Sequence, residues 1–94
     1  MEYQAYLSRA ELAADAVLVV TGNRLATQDI LRIALSGKKQ PLTAVVSAFG
    51  LGRLVLSVGK QKVELKPWLS GHDTPPEAPS GPSSRWTIRA VVAA

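Results

Sequence analysis

Apolar and polar residues alternate through the second half of the chain, as they do in β-strands that bury one face. Residues 53–58 and 62–66 both follow this period of two, and Gly59 stands between them. A two-residue turn at the glycine would pair Leu56 with Val63 and keep both apolar sets on one face. A four-residue turn would also do so, whereas a three-residue turn would reverse the second strand. The pattern predicts a β-hairpin with one apolar face and one basic, solvated face.

Three further segments alternate in the same way or are rich in β-branched residues, and we predict strands for them. Residues 42–49 contain adjacent valines, and residues 16–20 fit either a strand or a helical face, with β-branching favouring the strand. Residues 85–94 are predicted to close the sheet, beside the hairpin or beside the strand at 16–20. The side chains predicted to share one face of this last strand are Trp86, Ile88, Ala90 and Val92.

Two segments carry the signals of short helices. Ser8 and Glu11 have the spacing of a capping box, so a helix is predicted from Arg9. A second helix is predicted to begin with Thr27 as its N-cap and to end at Gly37. The expected fold class is α+β, with one or two short helices packed on a mainly antiparallel sheet of about four to five strands.

The length of 94 residues, with 47% hydrophobic and 19% charged residues, suits one small domain with one core. We therefore expect residues 1–94 to form a single domain. Four prolines, two glycines and four serines fall within residues 70–84. Such a stretch breaks both helices and strands, so it predicts a long Pro/Gly/Ser-rich loop before the last strand.

The chain offers little of the chemistry that enzymes use. It has no cysteine and a single histidine, His72, which lies in the proline-rich stretch near Asp73 and Glu77. The sequence contains no nucleophile elbow, no phosphate-binding loop and no complete dinucleotide fingerprint. We predict a protein that is not an enzyme and that uses no cofactor, metal site or small-molecule substrate.

Basic residues define the candidate site. Eleven Lys and Arg against seven Asp and Glu give a net charge of +4, which favours encounters with anionic partners. The cations gather on the predicted hairpin and on the last strand, where two tryptophans accompany them. The candidate binding residues are Arg53, Lys60, Lys62, Lys66, Trp68, Arg85, Trp86 and Arg89.

Two functions are compatible with this surface. The leading hypothesis is a non-catalytic protein-interaction module, or a subunit of a small assembly of the kind found among accessory, phage-encoded and inhibitory proteins. An exposed hairpin edge would then bind a protein partner, or a second copy of the chain, by strand addition. The alternative is a nucleic-acid-binding protein, in which the same cations neutralise phosphates and the tryptophans stack on bases.

The sequence also bears on the compartment. No signal-peptide pattern is present at Met1 and the residues after it, and the uncharged apolar run at 42–52 is about half as long as a membrane-spanning helix. We expect no membrane association and a cytoplasmic location.

Overall fold

The computed structural model describes residues 1–22, 24–68 and 83–93, and every regular element in these residues is a β-strand. The strands close into a barrel in the order β1-β2-β7-β6-β5-β4-β3. All neighbouring strands are antiparallel except β1 and β3, which are parallel. The predicted α+β fold is therefore wrong. The strands are β1 Glu2–Leu7, β2 Val17–Val20, β3 Ile30–Leu35, β4 Leu42–Gly50, β5 Arg53–Val58, β6 Gln61–Pro67 and β7 Ser84–Ala93.

Each strand turns two side chains into the barrel, and all of these side chains are buried. Small barrels are filled by their own side chains, so this layer is the hydrophobic core. Removing its apolar surface from water, at roughly 25 cal/mol per Å², is the main force that holds the fold. In strand order the residues are Ala5 and Leu7, Leu18 and Val20, Leu31 and Ile33, Ala44 and Val46, Leu54 and Leu56, Val63 and Leu65, and Trp86 and Ile88.

The segment predicted as the second helix forms β3 instead. Leu31 and Ile33 point into the barrel, whereas Arg32 between them is exposed. A short apolar run of this kind fits a period of two as well as a period of 3.6. Pairing decides between them, because β1 on one side and β4 on the other supply the hydrogen bonds that a helix would have made internally.

The predicted first helix is wrong as well. Residues 2–7 form β1, and Ser8 closes the connection from β1 to β2. The Ser8 hydroxyl accepts a hydrogen bond from the amide of Val17 at 2.8 Å, and the Ser8 amide donates to the carbonyl of Val17 at 2.9 Å. Serine favours turns for the same reason that it favours helix N-caps, since its side chain bonds to nearby backbone groups.

Five strands lie where the sequence predicts them, namely β2, β4, β5, β6 and β7. The turn between β5 and β6 has the two-residue register, with Leu56 opposite Val63. Gly59 takes a φ of 58° at the first central position, as a type II′ turn requires. The β5–β6 pair is nevertheless not a separate hairpin, because β4 pairs with β5 and β7 pairs with β6.

A β-bulge changes the face of the last strand. Ile88 lies opposite Leu65, but Ala90 lies opposite Glu64, so Arg89 is an extra residue on β7. Beyond the bulge the alternation reverses, and Val91 packs against the core. The predicted inward positions of Ala90 and Val92 are therefore wrong.

Asp29 joins the ends of three strands. Its carboxylate accepts hydrogen bonds from the α-ammonium group of Met1 at 3.0 Å and from the amide of Ala26 at 2.9 Å. Its carbonyl accepts from the amide of Val46 at 2.8 Å. These contacts tie the starts of β1 and β3 to β4. The bond from the N-terminal ammonium, followed by the bond from Ala26, lowers the pKa of Asp29 below its ordinary value.

We expect the Asp29→Asn variant to unfold at a lower urea concentration than the unmodified protein at neutral pH. Because the folded-state pKa of Asp29 is lowered, its charge stabilises the fold above the unfolded-state pKa of 3.8. That contribution is lost as the pH falls through the folded-state value. The difference between the two proteins should therefore disappear in strong acid. The exposed Asp15 provides the control variant, Asp15→Asn, and equal losses in both variants at neutral pH would contradict the role of Asp29.

We expect Gly22→Ala to lower the free energy of unfolding by about 1–3 kcal/mol, the usual cost of overpacking. A Cβ atom on Gly22 would lie 2.7 Å from Cδ1 and 2.8 Å from Cε1 of the Tyr3 ring. Gly50→Ala is the matched control, because a Cβ atom there meets nothing within 4 Å. Urea denaturation of both variants checks this, and the same cost at both positions would rule the Tyr3 contact out as the cause.

Candidate functional site

The outer surface of β5, β6 and β7 is rich in cations. We call this surface the basic face, and its exposed members are Arg53, Lys62, Lys66, Arg85 and Arg89. Glu64, also on β6, forms an ion pair with Arg53 at 3.1 Å. Both side chains of this pair are well exposed, so it contributes at most about 1 kcal/mol. Within residues 1–22, 24–68 and 83–93, the other four cations have no acidic partner.

Trp68 lies at the edge of the basic face, next to Arg85. The guanidinium carbon of Arg85 stands 5.4 Å from the centre of the Trp68 ring, within the range of a cation–π contact. The amide of Trp68 also donates to the carbonyl of Arg85 at 3.0 Å. The half-buried indole is thus held in place by both the backbone and the side chain of Arg85.

Two of the candidate binding residues lie elsewhere. Trp86 points into the barrel, is 7% exposed and donates its indole N–H to the hydroxyl of Ser84 at 3.1 Å. Lys60 lies in the β5–β6 turn, at the opposite end of the barrel from Trp68. The structure therefore places Arg53, Lys66, Trp68, Arg85 and Arg89 toward one end of β5 to β7. Lys62 lies on the same face but near the β5–β6 turn that holds Lys60, and Trp86 is in the core.

The turn between β4 and β5 exposes an apolar side chain that the sequence pattern did not predict. We call residues 49–52 the hairpin tip. The pairing of β4 with β3 ends at Val45, but its pairing with β5 continues to Gly50, so the tip extends beyond the start of β3. Leu51 is fully exposed and Phe49 is 39% exposed. A leucine in a tight turn, where polar residues prevail, was the available signal.

Phe49 connects the hairpin tip to the core. Its ring meets the edge of the Trp86 ring, with 5.8 Å between the centroids and 70° between the planes. Such aromatic pairs contribute about 0.5–1.5 kcal/mol beyond the surface that they bury. The contact gives the tip a fixed base, from which Leu51 projects into solvent.

A groove of about 250 Å³ runs from the hairpin tip across β6 to the bulge on β7. We call it the tip groove. Its side chains combine aliphatic surface with three cations and one carboxylate, and they belong to Leu51, Arg53, Glu64, Leu65, Lys66 and Arg89. A second pocket, of about 300 Å³, lies at the opposite end of the barrel among Leu12, Leu35, Leu42 and Val58, with Glu11 and Lys38 at its edge.

The described residues hold no group of three or more His, Cys, Asp or Glu side chains that could bind a metal ion. His72, Asp73 and Glu77, with residues 70–82 of the predicted loop at 70–84, lie outside the described residues, and Ser84 belongs to β7. In the described part of the chain, no helix is long and apolar enough to cross a membrane.

The hydroxyls of Ser47 and Ser57 share a hydrogen bond on the outer surface.

Comparison of the chain with protein-family models, with curated proteins and with solved structures gave no match. The side chains on the barrel surface are therefore the basis for inferring a function.

We expect Thr87→Val to raise the free energy of unfolding by about 1 kcal/mol. Thr87 is 1% exposed, and its hydroxyl finds no hydrogen-bond partner among the described residues. Valine has nearly the same shape as threonine, and it removes the cost of burying a hydroxyl without a hydrogen bond. Urea denaturation checks this against Thr43→Val, an exposed position on β4 where little change is expected. A loss of stability in Thr87→Val would show that the hydroxyl is bonded.

Proposed function

We propose that the protein is a non-catalytic protein-interaction module, or a subunit of a small assembly, and that it contacts its partner with the hairpin tip. The observation that carries this proposal is Leu51, which is fully exposed in the β4–β5 turn. A cytoplasmic location stays a prediction.

The hairpin tip has the features of a docking element. Residues that dominate protein interfaces are apolar or aromatic anchors that fill a pocket on the partner. Leu51 supplies such an anchor, and the Phe49–Trp86 contact holds its base. Because Leu51 is fully exposed, a partner can contact it without disturbing the core.

Strand addition is no longer the favoured mode of binding. A strand can be added only where a sheet has an unpaired edge. Here β1 to β7 form a closed barrel, in which each strand has a neighbour on both sides. Side chains at the tip and on the basic face support the proposal better than main-chain pairing does.

Nucleic-acid binding is the second candidate, and the basic face is the observation that favours it. Four cations without acidic partners in the described part of the chain, beside the half-buried Trp68, suit contacts with phosphates. Base stacking has less support, because Trp86 is in the core and the Trp68 ring is in contact with the Arg85 guanidinium.

Site-specific photo-crosslinking in the cells that make the protein tests the leading proposal. A crosslinking amino acid at position 51 should give a discrete covalent product with one protein, identified by mass spectrometry as a partner or a second copy. Val92 is 48% exposed on the outer surface of β7 and provides the control position. Leu51→Ser should prevent co-purification of the same protein. A monomer by light scattering that gives no discrete product at position 51 would overturn the proposal.

A further inference from the structure

We infer that the tip groove binds a short acidic segment of a protein partner, with one apolar side chain seated against Leu51 and carboxylates bound by Lys66 and Arg89. This inference deepens the proposed function and depends on it. It concerns the chemistry of the partner, whereas the crosslinking experiment asks only whether the tip meets a protein.

The charge of the groove sets the charge of its occupant. Three cations line it against one carboxylate, and that carboxylate, Glu64, is already bound by Arg53 at 3.1 Å. Lys66 and Arg89 therefore face the groove with no acidic partner among the described residues. An acidic ligand would meet two cations whose charge no carboxylate of the described residues offsets, which favours both its encounter and its orientation.

Arg89 is the extra residue of the bulge on β7. Since Ile88 is opposite Leu65 and Ala90 is opposite Glu64, Arg89 has no residue opposite it in the ladder. Its side chain is exposed and lines the tip groove. Bulges are frequent beside functional sites.

The dimensions of the groove suit a peptide. It crosses β5, β6 and β7, and neighbouring strands lie about 4.8 Å apart, so the distance from Arg53 to the bulge is roughly 10 Å. An extended peptide covers this distance with about three to four residues. One apolar residue of the peptide would contact Leu51, and two acidic residues would bind Lys66 and Arg89.

The apolar part of the groove favours a peptide over a nucleic acid. Its exposed apolar side chain is that of Leu51, which is aliphatic, whereas the side chain of Leu65 is buried in the core. Non-specific binding of single strands relies on aromatic side chains that stack on bases. The aromatic residue at the edge of the basic face, Trp68, lies outside this groove and is in contact with Arg85. An aliphatic side chain from a partner protein is the better match to Leu51.

Fluorescence anisotropy with short labelled peptides tests the inference. The probe carries glutamates around one leucine, and the comparison peptides replace the leucine by serine or the glutamates by lysines. The leucine-containing acidic peptide should bind, more weakly as salt is added, and the serine version should bind about tenfold less tightly. Lys66→Glu combined with Arg89→Glu should weaken binding by at least about tenfold.

Lys38→Glu combined with Lys39→Glu is the matched control, because it reverses two charges near the opposite end of the barrel and should leave binding unchanged. Equal losses in both double variants, or equal binding of the serine peptide, would overturn the inference. A single-stranded oligonucleotide that binds more tightly than the acidic peptide, and loses affinity in Lys66→Glu with Arg89→Glu, would assign the groove to nucleic acid. If no peptide binds while position 51 still crosslinks, the inference fails and the proposed function stands.

Discussion

The parallel pairing of β1 with β3 is the constraint on which the rest of the structure depends. Every other pair of neighbouring strands is antiparallel, and these pairs form a sheet that begins with β1 and ends with β3. The parallel pairing of β1 with β3 joins the two ends of that sheet into a barrel. Each strand then buries two side chains in a common interior. Asp29 reinforces the closure, because its carboxylate binds the start of β1 while its backbone binds β4. Without this pairing, the apolar faces of β1 and β3 would have no common core to enter.

Closure also decides where binding can occur. A barrel has no free edge, so a partner must be recognised by side chains that project from its surface. The structure provides such side chains where regular pairing is interrupted, at the β4–β5 turn and at the bulge on β7. The tip groove lies between these two interruptions, with aliphatic surface at one end and cations along its length. Recognition through this groove leaves the core intact, which suits a binding module.

The sequence predicted the strands whose alternation or β-branched composition favours β structure. The valines of β2 and β4 and the strict alternation in β5 and β6 are local signals. The two errors, β1 and β3, share a cause, because their pairing with each other joins segments far apart in sequence. Ser8 and Thr27 look like helix caps until that pairing is known. The basic face was largely predictable, whereas the bulge at Arg89 and the exposure of Leu51 depend on register and turn geometry.

The β1–β3 pairing can be observed directly by nuclear Overhauser measurements in solution. We predict contacts between the backbone protons of the two strands in the parallel register, with Tyr3 beside Leu31 and Ala5 beside Ile33. Residues 27–36 should show no helical contacts between positions three residues apart. A continuous series of such helical contacts through residues 27–36, with no contacts to residues 2–7, would contradict the closed barrel and the surface built on it.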